Sequence, residues 1–346
     1  MGRTALFAAV IGLSACSGDK SGDSGEVIDP GNPCTVEVTS TVPSADAVDA
    51  YYRSDIEFHL SEADATASLS LVDAAGTAVD GEMWTDDTGT KVYFTPAAAL
   101  TPGGSYTATL DMCQDKDDPL SPSISFMTST LGEAADCDLT GRSFNVDLAN
   151  ARFVKPAGVA ELLLGQLEDD ILLGVMGESD TEVDIMGALG GDEGQDFCTP
   201  SIDFPIADYS EAPYFSVGPQ DTQIAAAGYD IQISNLQISG TFASDCGSIG
   251  GAVLGGELDA RLLGDLLGEL VGTTDADEIC TLLTGFGVTC DSCASDGEAY
   301  CVEILADQMT AAGLDDSLEC VAGSDCHELC DEVADDCDTE NYPECE

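Results

Sequence analysis

Beyond Lys155 this chain carries one basic side chain, Arg261. Over 346 residues, 66 acids face 9 bases, a formal net charge of −57 at pH 7, with Asp supplying 43 of the acids and Glu 23. Most of these carboxylates have no cation to pair with, so they must stay in water, and their mutual repulsion opposes a compact state at low salt. The core must be drawn from the apolar residues, which at 44% are enough for a sizeable one. Nucleic acid and anionic lipid headgroups are excluded as docking partners, because neither meets a cationic surface. A salt-adapted, strongly solvated surface accounts for the acids. Clustered Asp also raises divalent-cation binding, and Asp19 to Glu26 and Asp115 to Asp118 are the densest runs. Neither has the Asp-x-[Asp/Asn]-x-[Asp/Asn]-Gly spacing with a distant Glu that a calcium loop needs, so no metal or cofactor is assigned.

Arg3 precedes an apolar run from Ala5 to Leu13, which ends in Leu13-Ser14-Ala15-Cys16. A charged start, a short apolar stretch and small residues before a cut site make a secretory signal over residues 1–15, too short to span a bilayer. The tetrapeptide resembles the bacterial lipobox. That resemblance implies cleavage before Cys16, diacylglyceryl transfer to its sulfur and acylation of the new amino terminus with a chain such as palmitate. The expected partner is therefore a membrane, held through the N-terminal lipid. Ser17, not Asp, follows the cysteine, which by the sorting rule of enteric lipoproteins places the protein in the outer membrane.

The chain has 15 cysteines, and setting Cys16 aside leaves an even number. In an exported chain this reads as a disulfide framework. The candidates singled out are Cys34, Cys113, Cys198, Cys246, Cys290, Cys293, Cys301, Cys326, Cys330 and Cys337. Cys290-Asp291-Ser292-Cys293 has the spacing of redox and zinc sites, but in a cysteine-rich exported segment it is read as structural. Zinc would find only His59 and His327 as nitrogen ligands.

Residues 16–33 form a flexible acidic tether, nearly free of apolar side chains. Residues 34–130 read as a small antiparallel β domain. Val36 and Val38 alternate with polar residues, as do Ile56, Phe58 and Leu60, then Leu69 and Leu71, then Val92 and Phe94. Ala75-Gly76, Thr88-Gly89 and Pro102-Gly103-Gly104 supply the turns. The runs Val92-Tyr93-Phe94-Thr95-Pro96, Leu100-Thr101-Pro102-Gly103, Tyr106-Thr107-Ala108-Thr109-Leu110 and Phe126-Met127-Thr128 resemble the bacterial Ig-like modules of surface-layer and adhesion proteins. The Asp-x-x-Gly usual before the last strand is replaced by Asp117-Asp118-Pro119-Leu120. The resemblance implies a β-sandwich with Cys34 and Cys113 as its internal pair.

Residues 137–256 read as an α+β region with an antiparallel sheet. Phe144 to Leu148, Ile171 to Met176 and Val183 to Leu189 predict strands. Tyr229, Ile231 and Ile233 alternate, then Leu236 and Ile238 alternate in the opposite phase, which predicts a bulge near Asn235. Pro156 predicts a short helix, and Cys198 and Cys246 are placed to bridge strands. Residues 257–346 read as cysteine-rich helices. One carries Leu258, Leu262, Leu263, Leu266, Leu267 and Leu270 on one face. A second starts near Thr274 and Asp277, a third runs from Gly297 to Ala312, and a last one places Cys326, Cys330 and Cys337 together. The expected class is mainly β with α: an Ig-like sandwich, an α+β middle and disulfide-stapled C-terminal helices.

No Gly-x-Ser-x-Gly elbow, phosphate-binding loop or His-Glu-x-x-His occurs. The leading expectation is a lipid-anchored, non-enzymatic cell-envelope module for display, adhesion or assembly, with another envelope protein as a partner. A second reading is a carrier of an apolar ligand held between the middle sheet and the leucine-faced helices. A third is an envelope hydrolase.

Overall fold

The computed structural model describes residues 32–148, 150–156, 170–191, 194–226, 229–262, 272–322 and 330. Seven strands build an N-terminal sandwich: β1 (Val38–Val42), β2 (Ile56–Leu60), β3 (Ser68–Asp73), β4 (Gly81–Thr85), β5 (Lys91–Pro96), β6 (Ser105–Asp111) and β7 (Ser123–Met127). One sheet has the order β1-β2-β5-β4 and the other β3-β6-β7. Period-two alternation drives the packing. Ile56, Phe58, Leu69, Leu71, Val92, Phe94, Ala108 and Leu110 all point between the sheets and are buried. Gly76, Gly89 and Gly103 take positive φ at the turns marked in the sequence.

The remaining strands do not form separate α+β and helical regions. They are β8 (Ser143–Asp147), β9 (Arg152–Lys155), β10 (Ile171–Glu178), β11 (Glu182–Gly191), β12 (Gly194–Gln195), β13 (Ile202–Asp203), β14 (Ala207–Asp208), β15 (Tyr214–Ala226), β16 (Tyr229–Phe242), β17 (Ser248–Asp259) and β18 (Cys301–Gly313). The sheet runs β10-β8-β18-β17-β16-β15-β14-β11, and β11 pairs again with β10. This closes an 8-strand antiparallel barrel, which leaves no free sheet edge around the ring. Strand β9 continues the β8 side of the ring, pairing with β18 at Leu305 to Asp307 where β8 pairs at Thr310 to Gly313.

The barrel is filled by aromatic rings. Phe242 lies 4.9 Å from Phe215, 5.7 Å from Phe144 and 6.1 Å from Tyr209, centroid to centroid. Leu236, Val217, Ile185 and Met309 complete this core. Gln232, Gln237, Glu303 and Thr310 face outward and are exposed. Apolar inside and polar outside is the reverse of a transmembrane barrel's pattern. No helix among the described residues is long and apolar enough to cross a membrane.

The C-terminal helical expectation is wrong, and β18 shows why. Val302, Ala306 and Met309 are buried at intervals of four and three, which imitates a helical face. The strand instead carries a bulge. Gln308 sits at φ 55°, and the register to β17 shifts between Ala252 and Leu254. Burial falls on Val302 and Ala306 before the bulge and on Met309 and Ala311 after it, so one extra residue turns period two into an apparent 3.6. The predicted leucine-faced helix also fails at its start. Leu258 belongs to β17, Leu262 is 49% exposed in a turn, and Leu263, Leu266, Leu267 and Leu270 lie outside the described residues. The carrier reading loses this described part of its helical wall.

Among the described residues one helix remains, α1 (Ala276–Gly285). Asp275 caps it by accepting from the backbone N–H groups of Asp277 and Glu278, and Ile279 buries its apolar side. The helix expected after Pro156 and the last cysteine helix fall outside the described residues, apart from Cys330, which is not helical. The bulge at Asn235 is present: Asn235 has φ 52°, and Ile233 and Leu236 on either side of it are both buried.

Candidate functional site

The alternation of β2 sends Ile56, Phe58 and Leu60 into the sandwich core, so Glu57 and His59 stand on its outer face. That face looks toward the barrel. Arg152 of β9 donates through Nη1 to Glu57 at 2.7 Å, and through Nε and Nη2 to the two oxygens of Asp307 at 2.7 and 2.6 Å. The bidentate fork suits a planar guanidinium. Hydrogen bonding to Asp307, ahead of that to Glu57, raises the Arg152 pKa further above its ordinary value. His59 Nε2 lies 3.0 Å from the second Glu57 oxygen. The Glu57 side chain is thus 5% exposed yet fully partnered.

Strand register extends this cluster into an aromatic row. Glu57 pairs with Tyr93, and Tyr93 pairs with Trp84 on β4. The Trp84 and Tyr93 rings are parallel, 3.8 Å apart with 4° between planes. Trp84 Nε1 donates to Thr95 Oγ1 at 3.1 Å. Asp55, two residues ahead of Glu57, lies near enough to Thr95 for that side chain to act on its carboxyl pKa. The result is a corner with an ion-paired base against the barrel and an aromatic lip at the sandwich edge.

Burial raises the Asp55 carboxyl pKa, and the nearby Glu57 charge adds to it, while the Thr95 side chain and Arg152 oppose the rise. A folded pKa above the unfolded one contributes stability below the unfolded pKa, and that contribution is lost as pH rises through the folded value. At neutral pH the ionised Asp55 is therefore a net liability. Asp55→Asn should raise the melting temperature at pH 7, with the gain vanishing once pH falls below the usual carboxylate range. Parallel melting curves at pH 7 and pH 3 check this; a stability gain that is the same at both would refute it.

A second contact fixes the sandwich on the barrel. Tyr51 and Tyr52 bring their hydroxyls to 2.8 and 3.3 Å from Thr241 Oγ1, on a residue with no exposed surface. Burial raises the Tyr51 hydroxyl pKa well above its usual value. Arg53 stacks 3.9 Å over the Tyr214 ring and pairs with Glu211. Gly251, at φ 58°, passes so close beneath Tyr51 that any Cβ would collide with the ring.

The structure pairs Cys34 with Cys113, Cys137 with Cys246, Cys198 with Cys330, Cys280 with Cys290 and Cys293 with Cys301. Cys198 and Cys246 therefore do not bridge each other. Cys290 and Cys293 of the CxxC run each pair elsewhere, and Cys280 is a partner the sequence did not single out. Cys320 is also disulfide-bonded. Glu257, Cys293 and Cys301 bring ligand atoms within 4.8 Å of one another, but the two sulfurs are bonded together, so no thiolate is available to a metal. In the acidic run at Asp115, Lys116 lies 3.5 Å from the Asp115 carboxylate, and Asp117 accepts from the Asn32 backbone at 2.7 Å. Cys16, Asp19 to Glu26, Cys326, His327 and Cys337 lie outside the described residues.

The corner itself escaped the sequence. All five residues of β4 are exposed, so Trp84 stands in no alternating pattern. The available signal was scarcity: a lone Trp, and an Arg among only 9 bases.

Residues 33–128 match the bacterial Ig-like domain family, which covers the sandwich and none of the barrel. A domain of this family on a disulfide-bonded chain fits a cell-envelope module. Among solved structures, PcoC, a methionine-rich copper resistance protein from Escherichia coli, is 19% identical over 27% of this chain and 98% of its own, with a TM-score of 0.25. CopC from Methylosinus trichosporium OB3b is 17% identical over 27% of this chain and 93% of its own, with a TM-score of 0.24. Surface layer protein SbsC, domains 1–6, is 13% identical over 60% of this chain and 32% of its own, with a TM-score of 0.23. No curated protein matches the chain.

Proposed function

We propose that this protein is a lipid-anchored, non-enzymatic module of the bacterial cell envelope, which presents a fixed surface for adhesion or assembly. The observation that carries the reading is the docking of an Ig-like sandwich onto a closed barrel through two separate polar contacts, Glu57–Arg152–Asp307 and Tyr51/Tyr52–Thr241. Two such points hold the exposed corner in one orientation, which suits display. The lipobox sequence Leu13-Ser14-Ala15-Cys16 supports anchoring, and Ser17 supports the outer membrane.

Several acyl chains anchor stably where one binds only marginally. Cys16→Ala should therefore move the protein from the membrane to the soluble fraction and abolish incorporation of labelled palmitate. A variant that stays membrane-bound with no change in label or in the mass of its processed form would refute the anchor.

A further inference from the structure

We propose that the corner formed by Trp84, Tyr93, Thr95 and Asp55 is a binding site for a neutral glycan, with one pyranose ring seated on the open face of Trp84. The inference rests on the envelope-display reading and names the class of partner that the surface takes.

The first support is the exposure of the ring. Trp84 is the only tryptophan in the chain and is 45% exposed, although a Trp side chain ordinarily buries a large apolar area. Strand β4 is terminal in the order β1-β2-β5-β4. Tyr93 on β5 covers one face of the indole, and among the described residues no strand lies beyond β4 to cover the other. Stacking and the hydrogen bond from Nε1 to Thr95 hold the ring in place before any ligand arrives. Binding to that face then carries little ordering penalty.

The shape of the face selects the ligand. A cationic headgroup is best held by several ring faces arranged as a box. Trp84 and Tyr93 are parallel and cover each other, which leaves one flat face instead of a box. A flat apolar face calls for a flat apolar face in return. Around it, the cross-strand register sets Glu82 opposite Thr95, and Asp55 lies beside Thr95. These oxygens accept hydrogen bonds, so the ligand must carry donors at its periphery. A ring with an apolar C–H face and a girdle of hydroxyls meets both requirements, and that is a pyranose.

The charge selects neutrality. With a net charge of −57 the protein repels uronic-acid and phosphate-bearing polymers. Of the cations near the corner, Arg152 is already committed to Glu57 and Asp307, and Lys91, two residues ahead of Tyr93, is offset by Asp86 beside it.

The lone tryptophan makes the site its own reporter. The full chain is titrated with cellohexaose, maltohexaose and chitohexaose, with choline chloride as the cationic comparison, while Trp84 emission is recorded. At least one hexaose should give a saturable change, and choline should give none. Calorimetry on Trp84→Ala should then show loss of that binding. Trp84→Phe, which keeps a ring on Tyr93, should weaken it about tenfold, equivalent to ~1.4 kcal/mol. Circular dichroism of both variants separates a lost ligand face from a lost fold. Choline alone giving saturation, no response to any hexaose, or equal affinity in a folded Trp84→Ala protein would each overturn the proposal. The titration is made in solution, so its failure leaves the Cys16 anchoring result untouched.

Discussion

Replacing Arg152 with methionine should lower the stability of the docked protein by about 1–3 kcal/mol, less than the cost of breaking a fully buried ion pair, because the Arg152 side chain is 37% exposed and only Glu57 is buried. Methionine fills much of the space but offers no proton. Glu57, with its side chain 5% exposed, would keep His59 as its one side-chain partner, and Asp307 would lose its bidentate donor. The pair spans sandwich and barrel, so the penalty falls on docking as well as folding. Glu57→Gln placed in the Arg152→Met background should recover much of the loss, because the uncompensated charge is gone. Urea unfolding of the two single variants and the double variant forms a closed cycle. Strictly additive losses would show that the two side chains do not act as a pair.

Phe242→Ala should cost more, about 3–5 kcal/mol, by a different route. Phe242 has no exposed surface and touches rings from three separate places: Phe144 on β8, Tyr209 just after β14 and Phe215 on β15. A closed barrel holds those anchor points apart, so the hole cannot easily collapse. Denaturant midpoints measure the loss. A value below about 1 kcal/mol would mean that the neighbouring rings swing in to refill the space.

The sandwich was legible because its strands alternate cleanly and its turns carry glycines where positive φ is needed. Asn235 was legible for the same reason, since the phase of the alternation visibly flips there. Strand β18 was not, because its bulge at Gln308 copies the spacing of a helix in a stretch of Ala, Leu and Met. Barrel closure was hidden more deeply. It depends on Phe144 pairing with Gly313 and on Ile171 pairing with Leu189, and no local pattern announces which distant strand completes a ring. The corner was hidden because it is made by register. Glu57 is far in sequence from Tyr93 and Trp84, and only strand pairing sets the three in a row.

The position of β18 also governs when this protein can become itself. Residues 301–313 slot between β8 and β17, so nearly the whole of the described chain must be present before the ring can shut. Until then β8 and β17 each present an unpaired row of backbone groups, the kind of edge that recruits stray strands. For a chain delivered N-terminus first, assembly is held back until residues 301–313 arrive. A nascent or truncated copy lacking β18 is an open sheet, and quality control would meet it as one.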